Sequence, residues 1–453
     1  MVASRRSPAF LIPFLMFAVV AAAGLVVFVH GYRLSAVDGP WSTYLMKWGV
    51  GLTIVGGIPL LLPHKLRVNL SVSFVMVVLC TFAFNTYLAY APPAAQALSS
   101  ETDAKRLVTP GFDHRSQMDV VRDLRAKGVE AMPAFFGLHR LQDDNAPENL
   151  MPLMGVSTAT TVLCNEIGTF SVYTSDEHGF NNPQNMPDEV DVLLVGDSFM
   201  QGQCMPPGKD IAGLLRNRGY SVYTIGNSGA GALLELATLV EYGLRRQPKV
   251  VIWGYAGNDP SDTAAELLNP KLRRYLEEDG YSQNLVQRQP EIDAYWRDLL
   301  IRKKLLDPKR DAPKVWKGRD PSIRELVTLY ALRRMLGLRR RSKGDWRGTY
   351  QKILTRGRTL VEAQGGKVYF IPFPYFNLVR DAPDTRRSIF DIVEPTGLPV
   401  INVDRTFFEH PDKLSLFPLR LPGHFSEAGY ELVTQGIIDQ ALTPAGITPR
   451  TTP

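Results

Sequence analysis

From Ala9 to Val29 the chain runs 21 residues without a charge, which as a helix covers about 31 Å, one hydrocarbon core. A stretch of that kind separates the chain into an apolar beginning and a remainder that must be read apart from it. Two more apolar stretches follow, Tyr44 to Leu62 and Val68 to Tyr90. The middle one contains Lys47, Gly49, Gly51, Gly56, Gly57 and Pro59, and a charge at mid-membrane costs about 2.5–3.5 kcal/mol. Lys47 lies near one end, however, where its stem can reach the interface. Residues 1–91 are therefore expected to form a transmembrane region with spans at about 9–29, 44–62 and 68–90. Arg5 and Arg6 precede the first span, and His64, Lys65 and Arg67 separate the second from the third. Positive flanks stay cytoplasmic. The expected topology is N-terminus inside, three crossings, and everything after Tyr90 in the periplasm or outside the cell, in a multi-pass protein of the cell inner membrane. The alternative is a cleaved signal peptide ending at Ala21-Ala22-Ala23. It exports the remainder too, but the apolar run continues past those alanines.

Residues 92–104, rich in Ala, Ser and Pro, form a short linker, and residues 105–453 have the composition of a soluble domain. Over the whole chain hydrophobics are 45% and charged residues 21%, which excludes a disordered polymer. Three cysteines exclude a disulfide-dense miniprotein. The net charge of +6 comes from 51 basic and 45 acidic residues and no nucleic-acid motif accompanies it. A membrane bilayer or an acidic polymer is the expected partner, and nucleic acid is not.

Beyond Ser116 the local signals alternate. Ser116 with Asp119 reads as a capping box, and Gly128 ends that helix. Strands are expected at Val190–Val195, Tyr220–Ile225, Val250–Trp253, Val368–Pro372 and Pro399–Val403. Helices are expected at Ile211–Arg218, Leu233–Arg246, Gly348–Ala363 and Glu427–Leu442. Such alternation implies an α/β domain, a flavodoxin-like parallel sheet with helices on both faces, whose ligands bind at the carboxyl ends of the strands.

Four motifs fall at those ends. Gly196-Asp197-Ser198-Phe199 follows the first strand of the sheet, where Ser198 is either a helix cap or a nucleophile. Gly226-Asn227-Ser228-Gly229-Ala230-Gly231 follows the second; glycines there make a tight turn or bring a backbone N–H to a substrate. Gly254-Tyr255-Ala256-Gly257-Asn258-Asp259 ends the third, where Asn258 forms a turn or donates to an oxyanion. Gly423-His424-Phe425-Ser426 opens the last helix. The order of the four blocks resembles the SGNH (GDSL-like) hydrolase superfamily, over roughly Asp191 to the last helix. The resemblance implies Ser198 as nucleophile, His424 as general base, and Gly229 and Asn258 as oxyanion donors, with Gly231 the second choice for the glycine. One departure is Leu421, which stands where members usually carry an Asp three residues before the His. A Ser198–His424 dyad is then expected as the minimum unit, with a backbone carbonyl or a carboxylate from elsewhere in the chain, such as Asp404, as the acceptor for the histidine Nδ1–H. The segment Ser175 to Asn182 also looks like the membrane-anchored branch of that superfamily, associated with bacterial surface polysaccharides.

The expected function is a membrane-anchored serine esterase or O-acyltransferase acting on ester groups, acetyl above all, of a cell-surface or exported polysaccharide, alongside other polysaccharide-assembly proteins. It needs no cofactor and no metal; Asp176, Glu177 and His178 are consecutive and lack a fourth ligand. The competing reading is an inactive glycan-binding or scaffold module, motivated by Leu421. In an oxidising compartment Cys164 and Cys204, the only cysteines after the spans, are expected to pair, two free thiols being the alternative. Residues 260–346 form a basic, helix-prone insertion whose densest run is Arg339-Arg340-Arg341-Ser342-Lys343. It is read as a solvated face or as a rail for an anionic polymer or lipid head group.

Overall fold

The computed structural model describes residues 12–34, 39–90, 105, 106, 108–141, 143, 147–307, 326–329, 332, 333, 346–381 and 387–450. Arg5, Arg6, the linker and the Arg339–Lys343 run lie outside them. The chain divides into two compact units, residues 1–96 with 317–339, and residues 97–316 with 340–453.

In the first unit three helices follow one another: α1 (Ile12–Leu34), α2 (Gly39–Leu60) and α3 (His64–Tyr90). Two of them, over Ile12–His30 and His64–Leu88, are long and apolar enough to cross a membrane. Two of the three expected spans meet that test. The apolar part of α2 is Met46–Leu60, short of the roughly 20 residues a crossing needs. Helices α1 and α2 pack backbone to backbone through glycines. A Cβ on Gly49 would lie 2.4 Å from the Phe28 nitrogen, and one on Gly56 would lie 2.3 Å from the Ala21 nitrogen. The carbonyls at the end of α2 are capped by Arg67 from the first turn of α3, which donates to Pro59, Leu60 and Leu62. A cation there also suits the negative end of the helix dipole.

The second unit opens with α4 (Gln117–Ala126), started by the Ser116–Asp119 capping box. A small sheet follows, in the order β1 (Ala131–Pro133), β2 (Thr160–Val162), β3 (Val172–Thr174). The main sheet holds β4 (Val192–Val195), β5 (Val222–Thr224), β6 (Val250–Tyr255) and β7 (Lys367–Pro372), all parallel, in the order β5-β4-β6-β7. The expected fifth strand at Pro399–Val403 is reduced to a single parallel bridge, Phe370 to Val400. Counted in chain order with that bridge at the edge, this is the flavodoxin-like 2-1-3-4-5 arrangement.

The sheet is covered on both faces. Leu193, Val195, Tyr223, Val251, Trp253 and Phe370 belong to one buried cluster, while Val192, Leu194, Val222, Ile252 and Ile371 belong to another. That is the period-two alternation of a strand with apolar layers above and below. The first cluster includes α7 (Ala232–Thr238) and α11 (Trp346–Glu362); the second includes α6 (Ile211–Asn217) and α13 (Glu427–Ile437). Along the chain α5 (Ser198–Gln201) precedes these four, and α8 (Asp259–Glu266), α9 (Pro270–Glu277), α10 (Gln289–Arg302) and α12 (Asp404–Phe408) lie between them. The order in which strands are added reverses between β4 and β6, so the loops after β4, β5 and β6 meet at the crevice where such sheets bind ligands.

Candidate active site

Ser198 is the first residue of α5, directly after the turn from β4. Gly196 makes that turn with φ +154°, and a Cβ there would lie 2.7 Å from Met200 Cγ. Asp197 caps the helix, accepting from the Phe199 N–H at 3.0 Å. The result is a nearly buried hydroxyl at the carboxyl edge of the sheet.

His424 comes from the loop before α13. Its Nε2 lies 2.8 Å from Ser198 Oγ, although the two residues are 226 positions apart. Its Nδ1 lies 3.0 Å from Glu166 Oε1. The other oxygen, Glu166 Oε2, accepts from the His424 backbone N–H at 2.9 Å. With Nδ1–H donating to the carboxylate, Nε2 is left as the acceptor for the serine proton. The close approach needs Gly423, since a Cβ there would lie 2.7 Å from Glu166 Oε2. One carboxylate therefore fixes both the ring and the backbone of the histidine.

Glu166 is the residue that sequence reasoning missed. Leu421 is buried and offers no acceptor, and Asp404, the substitute considered, begins α12 with its N–H donating to Asn402 Oδ1. The acid arrives instead from ahead of the main sheet. A signal for it was present: Cys164 and Cys204 form the expected disulfide, S–S 2.08 Å. Cys164 precedes Glu166 by two residues and Cys204 follows Ser198 by six, so the bridge draws the Glu166 segment to Ser198. The free-thiol alternative falls with it; Cys80 is the free cysteine.

The glycine and asparagine blocks also reach this edge. Gly229 has φ +74°, a conformation that favours glycine. The Gly231 N–H donates to Glu266, which also accepts from Leu233 and Leu234 and so caps α7 from a distance. No acceptor among the described residues takes the Ser198 or Gly229 N–H. This favours Gly229 over Gly231 as a donor. Asn258, exposed at the start of α8, donates its amide to Asp262 Oδ2 at 2.8 Å and engages Asp197 as well.

The electrostatics follow from burial and neighbours. Burial opposes the His424 imidazolium, but the Glu166 charge and hydrogen bond, helped by Asp197, outweigh it and raise its pKa above 6.5. Burial also works against the Glu166 carboxylate, yet His424 holds its pKa below the usual value. Asp197, whose Oδ2 lies 3.3 Å from Ser198 Oγ, is pushed up by burial. Behind the site, burial and mutual repulsion push the pKa values of Glu235 and Asp259 well above the ordinary carboxyl value. Glu266 is pushed up to about 7, again by burial.

The Ser175–Asn182 segment is a structural clasp. Asp176 accepts from the His178 and Phe180 N–H groups, the Asn182 amide and the Tyr223 hydroxyl. Asn182 bridges to the Thr224 backbone in β5. Asp176 is spent on hydrogen bonds that pin the segment to the main sheet. The described residues whose ligand atoms cluster tightly enough to hold an ion are Glu166, Cys204 and His424. They are already engaged in the relay and the disulfide.

No family model and no curated protein matches the chain. Among solved structures it is similar to the lipase/acylhydrolase from Enterococcus faecalis, at 16% identity over 58% of this chain and 98% of that one, TM-score 0.31. It is similar to TesA at 12% identity over 56% and 98%, TM-score 0.32. A catalytic mutant of Axe2, an acetylxylan esterase from Geobacillus stearothermophilus, matches at 15% identity over 59% and 99%, TM-score 0.29. Likenesses this distant do not bear on what the chain does. Its own geometry defines the class: a parallel α/β domain carrying a Ser-His-Glu relay at the carboxyl edge of its sheet.

Proposed function

We propose that the chain is a membrane-anchored serine esterase or O-acyltransferase of the SGNH kind, acting on acyl esters, acetyl above all, of a cell-surface or exported polysaccharide. The observation that carries the chemistry is the unbroken contact from Ser198 Oγ through His424 to Glu166, 2.8 and 3.0 Å. As Oγ attacks the ester carbonyl, Nε2 takes its proton, and Glu166 stabilises the imidazolium that forms. The Ser198 and Gly229 N–H groups and the Asn258 amide hold the oxyanion, the amide turning from Asp262 as negative charge develops. His424 then returns the proton to the departing alkoxide oxygen. Water, or a hydroxyl of a second sugar, attacks the acyl-serine in the reverse sense. With Glu166 supplying the acid, Leu421 no longer motivates an inactive module. The polysaccharide rests on the resemblance of the Ser175–Asn182 segment.

A fluorophosphonate probe tests the nucleophile. It is expected to label the intact chain and to fail on Ser198→Ala; a chain that folds yet takes no label would support the binding module instead.

Anchoring rests on α1 and α3, and the disulfide supports an exported domain. Three crossings also require α2 to span. Its glycine-lined contact runs beside α1 from Ala21 to Phe28, through the same depth of bilayer, and small residues in such contacts are the usual means of packing membrane helices. A reporter active only after export, fused after Pro93, is expected to work there, and a cytoplasm-only reporter is not. The reverse pattern would place the catalytic domain inside the cell.

A further inference from the structure

Asn85 is the anomaly of the first unit. It lies in α3, whose apolar stretch covers His64–Leu88 and whose neighbouring residues are mostly exposed, yet Asn85 itself is fully buried. What covers it is part of the insertion, some 240 residues on. The Asn85 amide donates to the Leu326 carbonyl at 3.2 Å, and its own oxygen accepts from the Leu332 N–H at 3.1 Å. The helical start at Leu326 and Val327 breaks at Leu329. Leu329 has φ +52°, its N–H donates to Leu326, and its carbonyl accepts from Arg333. A broken turn leaves backbone groups without helical partners, which hydrocarbon does not tolerate. Asn85 supplies both a donor and an acceptor.

We propose that this segment, Leu326–Leu329 with Leu332 and Arg333, is a further membrane contact: it lies in the bilayer interface against the end of α3 and binds anionic phospholipid head groups through Arg333 and the arginines around it in the sequence. The proposal rests on the reading of α3 as a span. Position and chemistry both point to the interface. Asn85 is five residues from the end of α3, about 7–8 Å along the axis, opposite the His64-Lys65-Arg67 end. Leu326, Leu329 and Leu332 are partly buried while Val327 is 63% exposed. The surrounding sequence, 321 to 342, carries six arginines against one glutamate, interleaved with Ile323, Leu326, Val327, Leu329, Leu332, Met335, Leu336 and Leu338. Basic residues among large apolar ones are the composition of segments that lie in the plane of an anionic membrane. A rail for a soluble anionic polymer would need the arginines but not the exposed apolar side chains, nor an amide clamp on a spanning helix.

The test uses the full chain in a Cys80→Ser background, reconstituted in vesicles of phosphatidylglycerol and phosphatidylcholine with brominated acyl chains. A bimane label is placed on Val327→Cys or, as control, on Val77→Cys, an exposed position in α3. Brominated lipid is expected to quench both labels by roughly twofold or more. Asn85→Leu, or replacement of phosphatidylglycerol by phosphatidylcholine, should weaken quenching at 327 and leave 77 unchanged. Quenching at 77 with none at 327 overturns the proposal while sparing the anchor. No quenching at 77 removes the span reading itself, and the proposal with it. A label at 327 that responds to a soluble anionic glycan and not to lipid would make the segment a polymer rail.

Discussion

Ser198→Ala and His424→Ala are each expected to lower kcat/KM for an activated acyl ester by about 10,000-fold or more, with the double variant no worse than either single. The non-additivity is the diagnostic part. A hydroxyl without its base and a base without its hydroxyl disable the same proton transfer, so removing the second partner costs little once the first is gone. A residual rate above the uncatalysed one should survive in all three, because the oxyanion donors remain. The measurement is steady-state hydrolysis by the four proteins, with circular dichroism to confirm folding. Independent, multiplicative losses would mean that the 2.8 Å contact between Oγ and Nε2 is not the contact that moves the proton. An undiminished His424→Ala would show that the base is another residue.

Much of this site can be read from the chain because its parts are local. Each of β4, β5 and β6 is a short buried apolar run ending in a glycine-bearing turn, and periodicity with turn chemistry suffices to place Ser198, Gly229 and Asn258 on one edge. His424 follows from the helix start that Ser426 caps. Long-range features were harder. The expected strand at Pro399–Val403 is extended backbone touching β7 at one residue pair, and no local pattern separates an edge bridge from a strand. The apolar run of α2 is Met46–Leu60, and its contact with α1 depends on glycines whose partners lie in another segment. Glu166 lies outside all four blocks and meets His424 across 258 residues. Spacing alone cannot find such a residue. The covalent link between Cys164 and Cys204 shortens that distance, and a carboxylate two residues from a cysteine bridged to the Ser198 loop is the clue that it provides.

Glu166→Ala is expected to lower kcat by about 1,000- to 10,000-fold, while Asp404→Asn leaves it within a few-fold. In the first variant His424 loses the acceptor for its Nδ1–H and for its backbone N–H together, so ring orientation and tautomer are both released. Glu166→Gln separates charge from geometry, since its amide oxygen still accepts from Nδ1–H but carries no charge to stabilise the imidazolium. The pH profile gives the sign. His424 acts as a base only when neutral, and Glu166 raises its pKa above 6.5 against the opposing pull of burial. In the native chain kcat/KM should therefore rise with pH along a limb centred above 6.5 and level off once the imidazole is neutral. Without the Glu166 charge, burial prevails and the limb should move toward acid, even as the plateau falls. Asp404→Asn should leave the limb in place. A Glu166→Gln profile that keeps both plateau and limb would reduce the site to a Ser198–His424 dyad. An acid shift in Asp404→Asn, with a matching loss of rate, would move the triad's acid to Asp404.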